Sequence, residues 1–241
     1  VDRATGETRV KKGKKGKKIP LVSASSGLQS IVPSSLVTSY LAEQSKKNTL
    51  EKVRFLPNRE QELLRAEISD ERVQVELDKY VTSGIEKSIS EKSLPIIEVA
   101  ARKFVNVSFM NIVEEPEQNL FPDSQMRNID FFINATKENE RNRLVMTAHS
   151  PYVLSYITLA AKAFELSKKG IEKKKIEKII PASSWLDGNE CSVYQLSNGG
   201  ITMLPTYGRG LPSDSNMLNK SLGNYNDKFD ELLDLEEGYV G

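Results

Sequence analysis

The chain has 241 residues, long enough for one sizeable core or two small domains. Its 34 Lys and Arg nearly cancel its 33 Asp and Glu, so net charge points neither to a nucleic-acid partner nor to an acidic substrate. The single cysteine, Cys191, excludes a disulfide framework and a Cys-rich zinc site, and a cytosolic setting fits. No apolar run approaches membrane-spanning length, so no membrane partner is expected. Val1-Asp2-Arg3 does not begin a signal peptide, and the sequence reads at once like mid-domain, so a segment upstream of Val1 is expected.

Residues 11–18 are a basic low-complexity run, Lys-Lys-Gly-Lys-Lys-Gly-Lys-Lys. It is either a solvated hairpin tip or a site of electrostatic nucleic-acid capture, and without interleaved aromatics it does not stack bases. Ile19–Ala24 reads as a short strand, Ser25-Ser26-Gly27-Leu28-Gln29 as a turn, and Ile31, Val32, Leu36, Val37, Tyr40 and Leu41 as the apolar side of a helix. The N-terminus of that helix presents free N–H groups suited to a phosphate, and Pro33 is compatible with its first turn. Residues 45–94 are charged and mostly helical, an insertion or lid in which Asp70 caps a helix through Val73, Val75, Leu77 and Tyr80.

Two apolar, β-prone runs then end abruptly in polar residues. The first is Asn111-Ile112-Val113-Glu114-Glu115-Pro116, within a strand expected over 107–113. The second is Leu144-Val145-Met146-Thr147-Ala148-His149-Ser150-Pro151. Buried parallel strands deliver acids, or a histidine, to the rim of an α/β sheet in this way. Helices are expected over 123–135 and 151–166, and a mobile Lys/Glu-rich segment over 167–178. Short strands are expected at 179–181, 184–186, 192–196 and 200–204, with a hairpin turn at Asn198-Gly199-Gly200. Cys191 is read as packing within a strand. A final acidic helix over 224–236 carries Phe229, Leu232 and Leu233 as its stripe.

A carboxylate ending a buried strand can hold Mg²⁺ through water while the ion bridges nucleotide phosphates. A second carboxylate past the strand end can polarise an attacking water. His149, the sole histidine, follows a strand at a Ser-Pro helix start; it is either a capped structural residue or a donor to the same phosphate. Zinc binding is disfavoured, because no cysteine or second histidine completes a site.

The order Ser25-Ser26-Gly27-Leu28-Gln29, Ile112-Val113-Glu114-Glu115-Pro116 and Thr147-Ala148-His149-Ser150-Pro151 resembles an ABC-type ATPase head of the soluble OLD-family and SMC-like branch. The match covers roughly residues 19–165. The resemblance implies a partial ABC-type α/β fold, with parallel core strands flanked by helices, a helical insertion and a small β-rich C-terminal extension. It divides the chain into a signature region (1–44), the insertion (45–100), a Walker B and switch-histidine core (101–178) and the extension (179–241).

In that reading Ser26, Gly27 and Gln29 match the signature offered to ATP on the opposite protomer. Glu114 takes the Walker B Mg²⁺ position, Glu115 the catalytic carboxylate and His149 the switch histidine, while Glu117 to Leu120 begin the D-loop. Leu28 departs from the pattern, standing where the family has a second signature glycine. No G-x-x-x-x-G-K-[ST] loop is present, so the phosphate-cradling lobe is expected upstream of Val1. The implied activity is ATP hydrolysis in a head-to-head homodimer that drives a partner effector, such as a nuclease in phage defence. Two other readings stand beside it. One is a non-catalytic scaffold; the other is a metal-dependent hydrolase built on Glu114, Glu115, Glu117 and His149.

Overall fold

A computed structural model of the chain describes residues 8–11, 16–204 and 216–239. Strands β1 (Arg9–Lys11) and β2 (Lys18–Pro20) precede helices α1 (Ser26–Lys46), α2 (Thr49–Arg54), α3 (Asn58–Ala66), α4 (Glu71–Ser83) and α5 (Ser93–Ala101). Strand β3 (Met110–Glu114), helix α6 (Pro122–Lys137), strand β4 (Arg143–Thr147) and helices α7 (Pro151–Lys168) and α8 (Lys173–Glu177) follow. A hairpin of β5 (Tyr194–Ser197) and β6 (Gly200–Met203) and a last helix, α9 (Met217–Tyr239), complete the order. The class is mixed α/β, mostly helical, with three two-stranded sheets among the described residues, one of them parallel.

The chain forms two units. One comprises Val32–Ile112 and Ala135–Val145. Its centre is an apolar cluster in which Val53, Leu64, Ile68, Leu77, Tyr80 and Ile97 are all buried. Local chemistry sets the helix ends. Asp70 accepts the Arg72 N–H at 2.9 Å and caps α4, while Gly84, at φ 71°, closes it by donating to the Tyr80 carbonyl. The apolar stripe of α4 is narrower than its sequence implies: Val73, Leu77 and Tyr80 are buried, but Val75 faces solvent.

The other unit comprises Val1–Ile31, Val113–Asn134 and Met146–Gly241. Ile129, Phe132, Val153, Tyr156 and Ala160 are buried in it. Burial raises the Tyr156 hydroxyl pKa, with Ser184 and Asp130 as its polar neighbours. The only tryptophan, Trp185, ties its indole N–H to the Ile180 carbonyl at 3.0 Å.

Strands β3 and β4 run parallel, bracketed by Arg143 N–H to Phe109 O and by Glu115 N–H to Thr147 O. Those bonds set Ile112 beside Val145 and Glu114 beside Thr147. Asn111 donates to the Thr38 hydroxyl on α1 at 2.9 Å, so one face of β3 is covered. The other face is bare, with Met110 62%, Ile112 66% and Val145 45% exposed. The expectation of strands buried on both faces is therefore corrected. Nothing among the described residues lies over the side chains of that second face.

Other expectations are also revised. Helix α1 begins at Ser26, so Pro33 sits inside it rather than in its first turn, and the bond its N–H would make to the Gln29 carbonyl is missing. Residues 179–181 and 184–186 are not strands; a 3₁₀ turn spans Ala182–Ser184, with Ile180 buried and Ile179 exposed. Cys191 precedes β5 and is half-buried. The β5–β6 hairpin forms as expected, with Asn198 (φ 50°) and Gly199 (φ 75°) both in the left-handed region its turn requires. Lys11 and Lys18, the two ends of the lysine run, pair across β1 and β2, and residues 12–15 lie outside the described residues.

Candidate functional site

The site grows from the ends of β3 and β4. Glu114 is the last residue of β3, exposed on the bare face and free of hydrogen bonds and ion pairs among the described residues. Glu115 then adopts φ 44°, a left-handed conformation that costs a non-glycine residue roughly 1–2 kcal/mol. Its N–H still donates to the Thr147 carbonyl at 3.0 Å, so the strand ends at this residue without releasing it. The strand's alternation stops there as well. The Glu115 carboxylate lies with Oε1 3.3 Å from His149 Nε2.

His149 stands between β4 and α7. Ser150 caps α7, accepting the Tyr152 N–H at 3.3 Å while its hydroxyl donates to Gln125 Oε1 at 2.6 Å. Pro151 occupies the first turn, where its missing N–H costs nothing. The imidazole is 80% exposed and the Glu115 side chain 42%, so the pair is open to solvent and to a ligand.

Glu117 is the buried member of the group. Its Oε1 accepts the His149 backbone N–H at 2.6 Å, and its Oε2 is buried with no hydrogen-bond partner. A buried carboxylate oxygen left unpaired is costly, so this side chain is held by the turn around it. That turn is heavily braced. Gln118 N–H donates to Glu115 O and Leu120 N–H to Glu117 O. Asn128 donates to the Pro116 carbonyl at 2.7 Å, and Gln125 Nε2 to the Leu120 carbonyl at 3.0 Å. Asn119, at φ 60°, reaches the Ser30 hydroxyl at 3.4 Å.

Ser25 and the first turn of α1, Ser26–Gln29, expected from sequence as a turn before the helix, pack on the same segment. A Cβ on Gly27 would lie 2.9 Å from the Asn119 carbonyl oxygen and 3.0 Å from the Leu120 side chain, so only glycine fits without a shift. Gln29 folds its amide back onto the Val22 and Ala24 carbonyls, at 3.1 and 2.9 Å, and so stiffens the turn instead of projecting from it. Ser26, first residue of α1, is exposed with its carbonyl accepting the Ser30 hydroxyl.

Of the six residues singled out by sequence, Glu115 and His149 are in direct contact, and Gly27 is packed on the turn that follows Glu115. No hydrogen bond or ion pair joins Ser26, Gln29 or Glu114 to that pair among the described residues. Glu117 was visible in sequence as a turn residue; its role in holding the His149 backbone was not. The only local signal was a third acid, after Glu114 and Glu115, one residue beyond a strand-ending proline.

Among the described residues no three His, Cys, Asp or Glu side chains gather as a metal-binding group. Glu117 holds the His149 backbone N–H through Oε1 and keeps its Oε2 buried. A Mg²⁺ ion carried by nucleotide phosphates needs only one or two protein carboxylates, and the uncommitted, exposed Glu114 fits that demand. Among the described residues no helix is long and apolar enough to cross a membrane. Comparisons with family models, curated proteins and solved structures return no match to this chain.

Proposed function

We propose that this chain carries the hydrolytic half of an ABC-type ATP site of the soluble OLD-family and SMC-like branch. The observation that supports it is the contact of Glu115 with His149, at 3.3 Å, across the adjacent ends of two parallel strands. In this reading Glu115 orients and polarises the attacking water, and His149 donates to the γ-phosphate. Glu114 would hold a Mg²⁺ through water, and that ion would neutralise phosphate charge. Positioning and charge stabilisation, not covalent chemistry, supply the rate.

The Ser26–Gln29 turn supports the second part of the proposal, in which ATP joins two heads. Ser26, exposed at the start of α1, offers its N–H to a nucleotide held by the opposite protomer, and Gly27, packed on Asn119, fixes the first turn of the helix. A lobe carrying G-x-x-x-x-G-K-[ST] supplies the remaining phosphate cradle. Turnover then becomes a dimer switch that gates an effector partner.

The test is steady-state ATP hydrolysis by the protein joined to its phosphate-cradling lobe. Glu115→Gln is expected to lower kcat by roughly 10²–10⁴-fold, the range for loss of a positioned general base. Unchanged turnover in that variant sinks the assignment. The bare apolar face of β3 and β4 favours a second reading, a non-catalytic scaffold that binds a partner through that sheet. Nucleotide binding that is undetectable with the cradle lobe present would select it.

A further inference from the structure

Beyond its first two turns, the helix α9 packs on almost nothing among the described residues. Every residue from Asn224 to Glu237 is exposed, including Tyr225 (71%), Phe229 (60%), Leu232 (62%) and Leu235 (71%). The helix also contains Gly223 and several Asn and Asp, all poor helix formers. Helices in proteins draw most of their stability from packing an apolar face, so α9 requires a partner surface.

The spacing identifies that surface. Leu218, Leu222, Tyr225, Phe229 and Leu232 recur at intervals of four, three, four and three, the a/d seam of a coiled coil over two heptads. Such a seam fits another helix. Charge then sets orientation. Residues 227–237 hold six carboxylates and one lysine, whereas 217–226 hold Lys220 and no acid. Two copies aligned in parallel would superpose their acidic halves; antiparallel copies set each acidic half against the lysine-bearing half.

A second apolar surface lies where an antiparallel partner would end. The Met217 N–H donates to Gln195 Oε1 at 2.9 Å, which anchors the first turn of α9 to β5. On the hairpin the cross-strand pairs Tyr194–Met203 and Leu196–Ile201 place four exposed apolar side chains together. The α9 stripe widens at its C-terminal end through Leu233 and Leu235. Antiparallel pairing lays that wider end beside the hairpin of the other copy.

We infer that α9 is a self-association helix, pairing antiparallel with α9 of a second copy and covering the hairpin's apolar face. This interface is separate from the ATP-bridged contact proposed above and needs no nucleotide. Sedimentation equilibrium of the chain without ATP is expected to show dimer at concentrations up to about 100 µM. The double substitution Phe229→Asp and Leu232→Asp should raise the dimer Kd by roughly 100-fold or more.

Orientation is read independently in a Cys191→Ser background, with the seam layers otherwise intact. Chains carrying Leu222→Cys and Leu232→Cys, mixed and oxidised, should form the 222–232 mixed disulfide in preference to either self-pair. A monomer throughout that range, a dimer that survives the double substitution, or preferred 222–222 and 232–232 cross-links would each overturn the inference.

Discussion

The helical cluster around Leu64 and the turn around Glu117 are built in opposite ways. The cluster closes upon itself: its apolar side chains are buried, and α4 ends at a cap, Asp70, and a glycine, Gly84, each readable as one residue. The turn sits at the rim of a sheet with one bare face, and it is held by side-chain amides reaching backbone carbonyls. Apolar packing tolerates small shifts, whereas a network of hydrogen bonds fixes direction. Two left-handed residues, Glu115 and Asn119, are maintained only because that network over-determines them.

The largest expected effect lies in the cluster. Leu64→Ala removes a fully buried side chain and should cost about 2–5 kcal/mol, read as a lower midpoint in urea unfolding. A loss below that range would mean the cluster can collapse around the gap and is less tightly closed than its burial implies.

A smaller loss is expected in the turn. Glu117→Ala deprives the His149 N–H of its acceptor and should cost about 1–3 kcal/mol by the same measurement, with Glu117→Gln nearer wild type because it keeps an acceptor oxygen. Equal stability of wild type and Glu117→Ala would break the contrast between a packed cluster and a braced turn.

The smallest effect belongs to an exposed ion cluster on α7. Hydrogen bonds from Lys169 and then Lys162 hold the Glu165 carboxyl down from 4.5 to about 2. A carboxylate whose pKa falls on folding stabilises above its unfolded value and loses that contribution as pH drops through the folded one. The stability difference between wild type and Glu165→Gln should therefore be present near neutral pH and fade between 4.5 and about 2. Thermal melts across that window measure it, and a difference that persists at the acid end removes the assignment.

What was legible in the sequence was local. The Asp70 cap, the Ser150-Pro151 helix start and the Asn198-Gly199 turn each depend on a few neighbouring residues, and each appears where the pattern puts it. The sequence placed His149 one strand after Glu115, within reach of the same phosphate, and did not show the direct contact of the two side chains. Burial of β3 was not legible, because whether a sheet face is covered is decided by distant chain. Ile179-Ile180-Pro181 misled for a different reason: a short β-branched run reads as a strand, yet here it is a tight bend that buries only Ile180. The hold of Glu117 on the His149 backbone escaped because its partner is a backbone N–H, which has no side-chain signature.

Trp185 has an optical consequence. It is the only indole in the chain, and it belongs to the unit that carries Glu115, Glu117 and His149. Fluorescence excited at the red edge of protein absorption is therefore light from that unit alone. Far-ultraviolet dichroism, by contrast, sums the helices of both. Recorded together on one sample, the two signals separate the melting of the site-bearing unit from that of the helical cluster without any label.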